Sequence, residues 1–240
     1  VPYHPGAAKY FEEKGFKVDA VKEGAGNGTA SALSFGTGGE SGTYYAFGGV
    51  LASFVSGKSD CKVTALTSGG SQANVEDLTN GNVQLAFVQS DVMNYAYNGQ
   101  RLFDSPVTGF SVVAQLYQEQ VQIVTTNPDI KTVADLAGKK VSIGAAGSGV
   151  YFNAIDVLSA YDLKESDISA VYQSFGDSAE SLKDGKIDAA FIVAGAPTTA
   201  ITDLATAGSV YLVSLDDSHV QSLLAASPYY TAATIKAGTY

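Results

Sequence analysis

The sequence is short of the groups that usually carry out chemistry. It holds a single cysteine, Cys61, in 240 residues, which excludes a disulfide framework and a zinc-type cysteine cluster; Cys61 reads as a small apolar filler. Histidine occurs twice. His4 precedes a proline at a helix entry, and His219 lies in Asp216-Asp-Ser-His-Val220, a solvated helix start. Neither is near Ser41 or Ser148, so a serine hydrolase triad lacks an evident base. Arg101 is the only arginine, in a polar loop before a proline, so a two-pronged guanidinium grip on a carboxylate is not expected. No window has the ~18 unbroken apolar residues of a membrane span. The net charge of −10 opposes nucleic acid and anionic membrane surfaces, both of which attract clustered Lys and Arg. No nucleotide signature is complete: Gly36-Thr-Gly-Gly-Glu-Ser41 has serine at the third glycine position, and no Gly-Lys-Ser/Thr occurs. There is no charged leader or apolar h-region at Val1, so an export signal is not expected within this chain. No metal site, cofactor or catalytic residue is expected, and the chain reads as non-enzymatic.

What is present is a duplication. Leu33-Ser-Phe-Gly-Thr-Gly-Gly-Glu-Ser-Gly-Thr-Tyr-Tyr-Ala46 resembles Val141-Ser-Ile-Gly-Ala-Ala-Gly-Ser-Gly-Val-Tyr-Phe-Asn-Ala154. Each reads as a short buried strand, a glycine turn and the first turn of a helix. Glycine permits the sharp turn, and a helix N-terminus carries roughly half a positive charge, which favours small anions. Leu78-Thr-Asn-Gly-Asn-Val-Gln-Leu-Ala-Phe-Val88 parallels Leu182-Lys-Asp-Gly-Lys-Ile-Asp-Ala-Ala-Phe-Ile192 at nearly the same offset, so the two pairs form one long internal repeat. Two α/β lobes are expected, each offering an anion-binding corner to a shared cleft.

In order, residues 1–23 read as a helical segment with Tyr10 and Phe11 on its buried side, and residues 24–32 as a flexible linker containing a weak glycosylation pattern at Asn27. Residues 33–118 plus 229–240 are expected to form lobe one, and 119–228 lobe two. Ser41 is expected to cap a helix running to about Ser56, a strand to fill Lys62 to Thr67, and a helix to open at Gly70. Val83 to Val88 reads as a strand covered on both faces. Phe110 to Thr126 reads as the crossing, with a hinge near Gln118-Glu119-Gln120. In lobe two, Thr132 caps a short helix, and strands are expected over Lys140 to Ile143, Ala170 to Phe175 and Ile187 to Val193. Helices are expected over Gly149 to Tyr161 and from Asp177, then one begun by Ala194-Gly-Ala-Pro-Thr-Thr199 with Pro197 near its first turn, and one over Asp217 to Ala226. Tyr44 and Tyr151 hold equivalent places and are candidates for walls of the cleft, although packing on their own lobes fits them equally. Ser71-Gln72 and Asp177-Ser178 read as matching helix openings, which would bring four helix N-termini to one cleft.

Leu33 to Tyr240 resembles the TAXI group of extracytoplasmic solute-binding proteins, which feed TRAP-type transporters. The resemblance rests on Gly36-Thr-Gly-Gly-Glu-Ser-Gly-Thr-Tyr-Tyr45, Gly70-Ser-Gln-Ala-Asn-Val75, Leu85-Ala-Phe-Val-Gln-Ser-Asp91, Leu116-Tyr-Gln-Glu119, Val141 to Gly149, Ala194-Gly-Ala-Pro197 and Tyr229 to Tyr240, taken together and in order. It implies a two-lobed periplasmic binding protein-like type II fold that closes on a small organic anion such as glutamate, glutamine or a related dicarboxylate. It also implies an extracytoplasmic location and a TRAP membrane permease as partner, with the binding protein a monomer. The candidate ligand-binding residues are Gly39, Ser41, Gly42, Thr43, Tyr44, Ser71, Gln89, Ser90, Glu119, Gly147, Ser148, Gly149, Tyr151, Ala194, Gly195 and Pro197. The chain departs from the family pattern in carrying a segment like the family's C-terminus at its own N-terminus and in lacking a later segment. It therefore reads as rearranged, with Val1 to Gly15 expected to pack on lobe one near Tyr240. Two other readings stay open: an engineered fragment or sensor module that needs a partner chain, and a transferase on the same fold using Ser148 or Lys139.

Overall fold

The computed structural model describes residues 1–21 and 30–240. Most of the expected linker, including Asn27, lies outside the described residues. The structure is a mixed α/β fold with two sheets.

The smaller sheet takes β1 (Ala32–Gly36), β2 (Lys62–Leu66) and β3 (Leu85–Ala86) in the order β2-β1-β3, all parallel. Helices α2 (Thr43–Lys58), α3 (Ser71–Thr79) and α4 (Ser90–Asn98) follow the three strands in turn. The larger sheet takes β4 (Gln120–Thr125), β5 (Lys140–Ser142), β6 (Ser169–Val171), β7 (Ala189–Ala194) and β8 (Tyr211–Leu212) in the order β6-β5-β7-β4-β8. Here β5 is parallel to both β6 and β7, while β4 is antiparallel to its two neighbours. Helices α5 (Val150–Ala160), α6 (Phe175–Lys183), α7 (Thr199–Ala207) and α8 (Asp217–Ala226) serve this half. The order β6-β5-β7 repeats β2-β1-β3, so the duplicated sequence is a duplicated topology.

Strand β7 shows why the larger half is well formed. All six residues of Ala-Ala-Phe-Ile-Val-Ala are buried, and successive side chains of a strand point to opposite faces. Phe191 and Val193 join Ile123, Val141, Ile143 and the α5 residues Ala154, Val157 and Leu158 on one face. Ala190, Ile192 and Ala194 join Val124, Leu182 of α6 and Ile201 and Leu204 of α7 on the other. In the smaller half Phe35, Ala52, Val63 and Phe87 form a smaller buried cluster, with Leu33, Leu51, Val55 and Leu85 packed against it. A further cluster crosses between the halves, where Phe152 of α5 is buried among Val75, Val92, Tyr95, Ala96 and Phe103.

Several expected elements are corrected. The run Val83 to Val88 yields a ladder of two residues, because β3 pairs with β1 only at Phe35 and Gly36. Ser41 does not cap α2; Gly42 holds that place with no side-chain hydrogen bond. The strand expected to reach Phe175 ends at Val171, and α6 begins at Phe175 because the Ser174 hydroxyl accepts from the Asp177 N–H. The helix expected to begin at Ala194 starts at Thr199 after the cap residue Thr198, with Ala194 still in β7; Pro197 lies just before the cap, and its peptide bond to Ala196 is cis. The short helix after Thr132 is a 3-10 turn, Val133–Leu136, closed by reciprocal bonds between Thr132 and Asp135.

The N-terminal segment forms α1 (Pro5–Glu13), capped by the His4 ring at the Gly6 N–H. It contains no buried residue, and Tyr10 is exposed, against the buried side expected for it. Instead of docking its helix face, the segment is tied by backbone: His4 N–H donates to Val112 O and Val112 N–H to Pro2 O, both at 2.8–2.9 Å. At the other end, the Tyr240 ring packs with the larger sheet's core and its hydroxyl accepts from the Thr198 N–H at 3.0 Å. Tyr240 thus touches lobe-two residues rather than the α1 segment.

Candidate functional site

A cavity of about 100 Å³ lies between the two halves. Both glycine corners line it, the first through Gly38 to Tyr44 and the second through Ala145, Ser148, Gly149 and Val150. Two further helix openings complete it: Ser68 to Ser71 before and at the start of α3, and Ser174, Phe175 and Gly176 at the start of α6. Four helix N-termini therefore face one space. The first turn of each helix leaves N–H groups without partners inside the helix, and the aligned peptide dipoles add positive potential.

The corners approach closely enough to require glycine. A Cβ at Gly149 would overlap the amide oxygen of Gln89, and Gly70, at φ +116°, would place a Cβ 3.2 Å from the Ser148 Cα. The halves are also joined by backbone beside the cavity, where Ala73 N–H donates to Gly147 O at 2.9 Å. Ser148 is 5% exposed, and its hydroxyl has no hydrogen-bond partner. A buried hydroxyl in that condition is costly unless a ligand or water satisfies it.

Two side chains give the cavity acceptors. Gln89 follows β3 and donates its amide to Asn153 Oδ1 at 2.7 Å. Glu119 receives the Tyr44 hydroxyl at 3.1 Å. Burial pushes the Glu119 carboxyl up to about 8; the Tyr44 hydrogen bond opposes this and the nearby Asp91 charge adds to it. Among the described residues no ion pair involves Glu119. Burial also raises Tyr44 well above the usual phenol range, with the Glu119 charge adding to the effect.

Of the sixteen residues selected from the sequence, Gly39, Ser41, Gly42, Thr43, Tyr44, Ser71, Gln89, Glu119, Ser148, Gly149 and Ala194 line this space. Ser90 is exposed at the start of α4. Gly147 sits behind the cavity on Ala73, and a Cβ on Gly195 would lie 3.3 Å from Thr43 Oγ1, so both abut the lining without belonging to it. Pro197 stands at the entry to α7, outside the lining. Tyr151 turns away: its hydroxyl donates to Glu165 at 3.0 Å and its ring lies against Phe152 and Tyr172.

Ser174, Phe175 and Gly176 were missed, although the repeat contained the signal. An offset of about one hundred residues maps Gly70-Ser71 onto Ser174-Phe175, whereas the reading from sequence aligned Ser71-Gln72 with Asp177-Ser178. In the structure Asp177 lines a separate open groove and Ser178 pairs with Ser142 in the core. Arg101 is also engaged elsewhere. It forms an ion pair with Asp156 of α5 and lies over the Tyr95 ring, its guanidinium carbon 5.1 Å from the centroid.

Two sheets of the same central topology, with helix openings converging on a space between them, define the type II periplasmic-binding-protein fold. Residues 35–240 match the NMT1-like family, and the chain belongs to it. Solved structures share the fold at low identity. The alkanesulfonate-binding protein SsuA from Xanthomonas axonopodis pv. citri, bound to MOPS, is 19% identical with a TM-score of 0.54 over 78% of this chain and 61% of that one. This chain thus spans about three fifths of that protein's length. The amino acid ABC transporter substrate-binding protein AbpA from Streptococcus pneumoniae, bound to L-arginine, is 16% identical with a TM-score of 0.51 over 76% and 75% of the two chains. An ancestral arginine-binding protein bound to glutamine is 15% identical with a TM-score of 0.52 over 79% and 80%.

Proposed function

We propose that this protein is a non-enzymatic, extracytoplasmic solute-binding protein that captures a small organic anion between its lobes. The observation carrying this is the convergence of four helix N-termini on one cavity in which the buried Ser148 hydroxyl lacks a partner. Preorganised N–H groups and helix dipoles bind an anion without an arginine, in keeping with the engagement of Arg101 at Asp156. The ligand class we favour is glutamate, glutamine or a related dicarboxylate, on the resemblance to the TAXI group. Amino acids and a sulfonate occupy the proteins of like fold, which supports a small anionic or zwitterionic ligand. By the same resemblance, the liganded monomer delivers its cargo to a TRAP-type permease. Among the described residues no helix is long and apolar enough to cross a membrane.

The test is a set of thermal melts against amino acids, dicarboxylates and alkanesulfonates. Ligand at ~100 times its dissociation constant adds ~2.7 kcal/mol to the folded state, a rise of several degrees for a chain of this size. At least one small anion should give it. A panel that leaves the melting temperature unmoved throughout overturns the proposal.

A further inference from the structure

Behind the cavity a chain of hydrogen bonds runs from the only arginine to Gln89, and its polarity can be worked out link by link. Arg101 holds Asp156 as an ion pair. The Tyr230 hydroxyl donates its one proton to Asp156 Oδ2 at 2.9 Å, so toward Asn153 it can only accept. Asn153 faces that oxygen at 2.8 Å and Asp91 Oδ2 at 2.9 Å. Both are acceptors, so the Asn153 NH₂ must lie on that side. Asn153 Oδ1 then points to Gln89 and accepts from Nε2 at 2.7 Å. Gln89 has no freedom left: its NH₂ is directed at Asn153, and its oxygen lies against Gly149 at the cavity wall. Asn153 is 2% and Asp91 3% exposed, so water does not compete for these bonds and the orientation is enforced.

The consequence is chemical. The opening of α5 would by itself favour an anion, yet the group placed there is an acceptor.

We infer that Asn153 is a positioning residue that sets specificity: by holding Gln89 with its oxygen toward the cavity, it makes the site select a ligand carrying an N–H or O–H donor beside its anionic group. This rests on the proposed function and names which anions that site takes. An α-amino acid meets the requirement, its ammonium on Gln89 Oε1 and its carboxylate on the remaining helix openings. A plain dicarboxylate leaves Gln89 Oε1 unpaired, and leaving a buried acceptor unpaired costs enough to weaken binding about tenfold or more.

The experiment is calorimetric titration of the intact chain with matched pairs, glutamate against glutarate and aspartate against succinate. The unsubstituted protein should bind the amino member of a pair at least tenfold more tightly. In Asn153→Leu the Gln89 amide is released and can turn its NH₂ to a carboxylate, so the ratio should fall to within about threefold. Gln89→Met, at the cavity end of the relay and less buried than Asn153, should erase the preference even if Asn153→Leu does not fold. Gln89→Glu retains an acceptor and should keep it. Affinity lost equally for both members in Asn153→Leu and Gln89→Met, with the ratio intact, would make these residues merely structural and overturn the inference. Equal binding of both members by the unsubstituted protein overturns it while leaving the proposed function standing; binding of neither overturns both.

Discussion

The two glycine corners begin as the same device and end with different tasks. Tyr44 and Tyr151 are both the second residue of their helices, α2 and α5, and each hydroxyl donates to a glutamate, Glu119 at 3.1 Å and Glu165 at 3.0 Å. At the first corner the half-buried pair lines the cavity and the carboxyl is driven upward. At the second the pair is also half-buried but lies off the cavity, with Tyr172 also donating to Glu165. The serines divide in the opposite sense. Ser148 is buried with a free hydroxyl, while Ser41 lies near Gly176 at a less buried edge of the lining. The same strand-turn-helix device thus places a tyrosine–glutamate pair on the cavity at one corner and an unpartnered serine hydroxyl there at the other.

The largest test of this contrast is pH. A carboxyl whose pKa rises from 4.5 unfolded to about 8 folded binds its proton more tightly in the folded state. That stabilising contribution is complete below about pH 4.5 and is lost as pH climbs through 8. The span corresponds to roughly 5 kcal/mol at most. Tyr44, Tyr117 and Asp91 face Glu119, and the tyrosines stay protonated throughout the window because burial raises both. Melting temperature of the ligand-free protein should therefore fall between pH 6 and 9, and Glu119→Gln should flatten the profile. A profile that keeps its slope in Glu119→Gln would abolish the distinction.

Next in size is the close approach. Gly149→Ala puts a methyl group into Gln89 and should weaken ligand binding about a hundredfold by calorimetry, roughly 2.7 kcal/mol. Gly42→Ala places its methyl 3.3–3.4 Å from Gly39 O and the Phe175 ring, a tight fit that a small shift relieves, and should cost tenfold or less. The smallest effect separates the tyrosines. Tyr44→Phe removes the hydroxyl that donates to the cavity carboxyl of Glu119 and should lower stability by about 1–2 kcal/mol, whereas Tyr151→Phe leaves Glu165 its bond from Tyr172 and should stay within about 0.5 kcal/mol in denaturant melts.

The sequence was readable where its signals are local. Glycine corners, the apolar run Ile187 to Val193, the Thr132 start and the helix at Asp217 each depend on a few neighbouring residues, and the repeat revealed that the halves share a topology. Residues such as Ser41, Gln89 and Ser148 could be selected because a residue after a strand or at a helix opening has its place fixed by chain geometry. Val83 to Val88 misled because an apolar run says nothing about how many ladder partners exist, and β3 finds them over two residues only. Tyr151 and Tyr44 look alike in sequence; what lies opposite each, Glu165 or Glu119, is set by how the lobes pack.

By itself, then, the sequence determined the α/β class, the twofold plan and the anion-favouring corners, since these follow from backbone freedom and burial pattern over short stretches. Only the tertiary structure decided that Arg101 would lock Asp156, that Asn153 would turn Gln89 and that Phe152 would cross into the other half's core. Hydrogen-bond direction and burial are properties of groups far apart in the chain, and they have no value until folding brings those groups within a few ångströms.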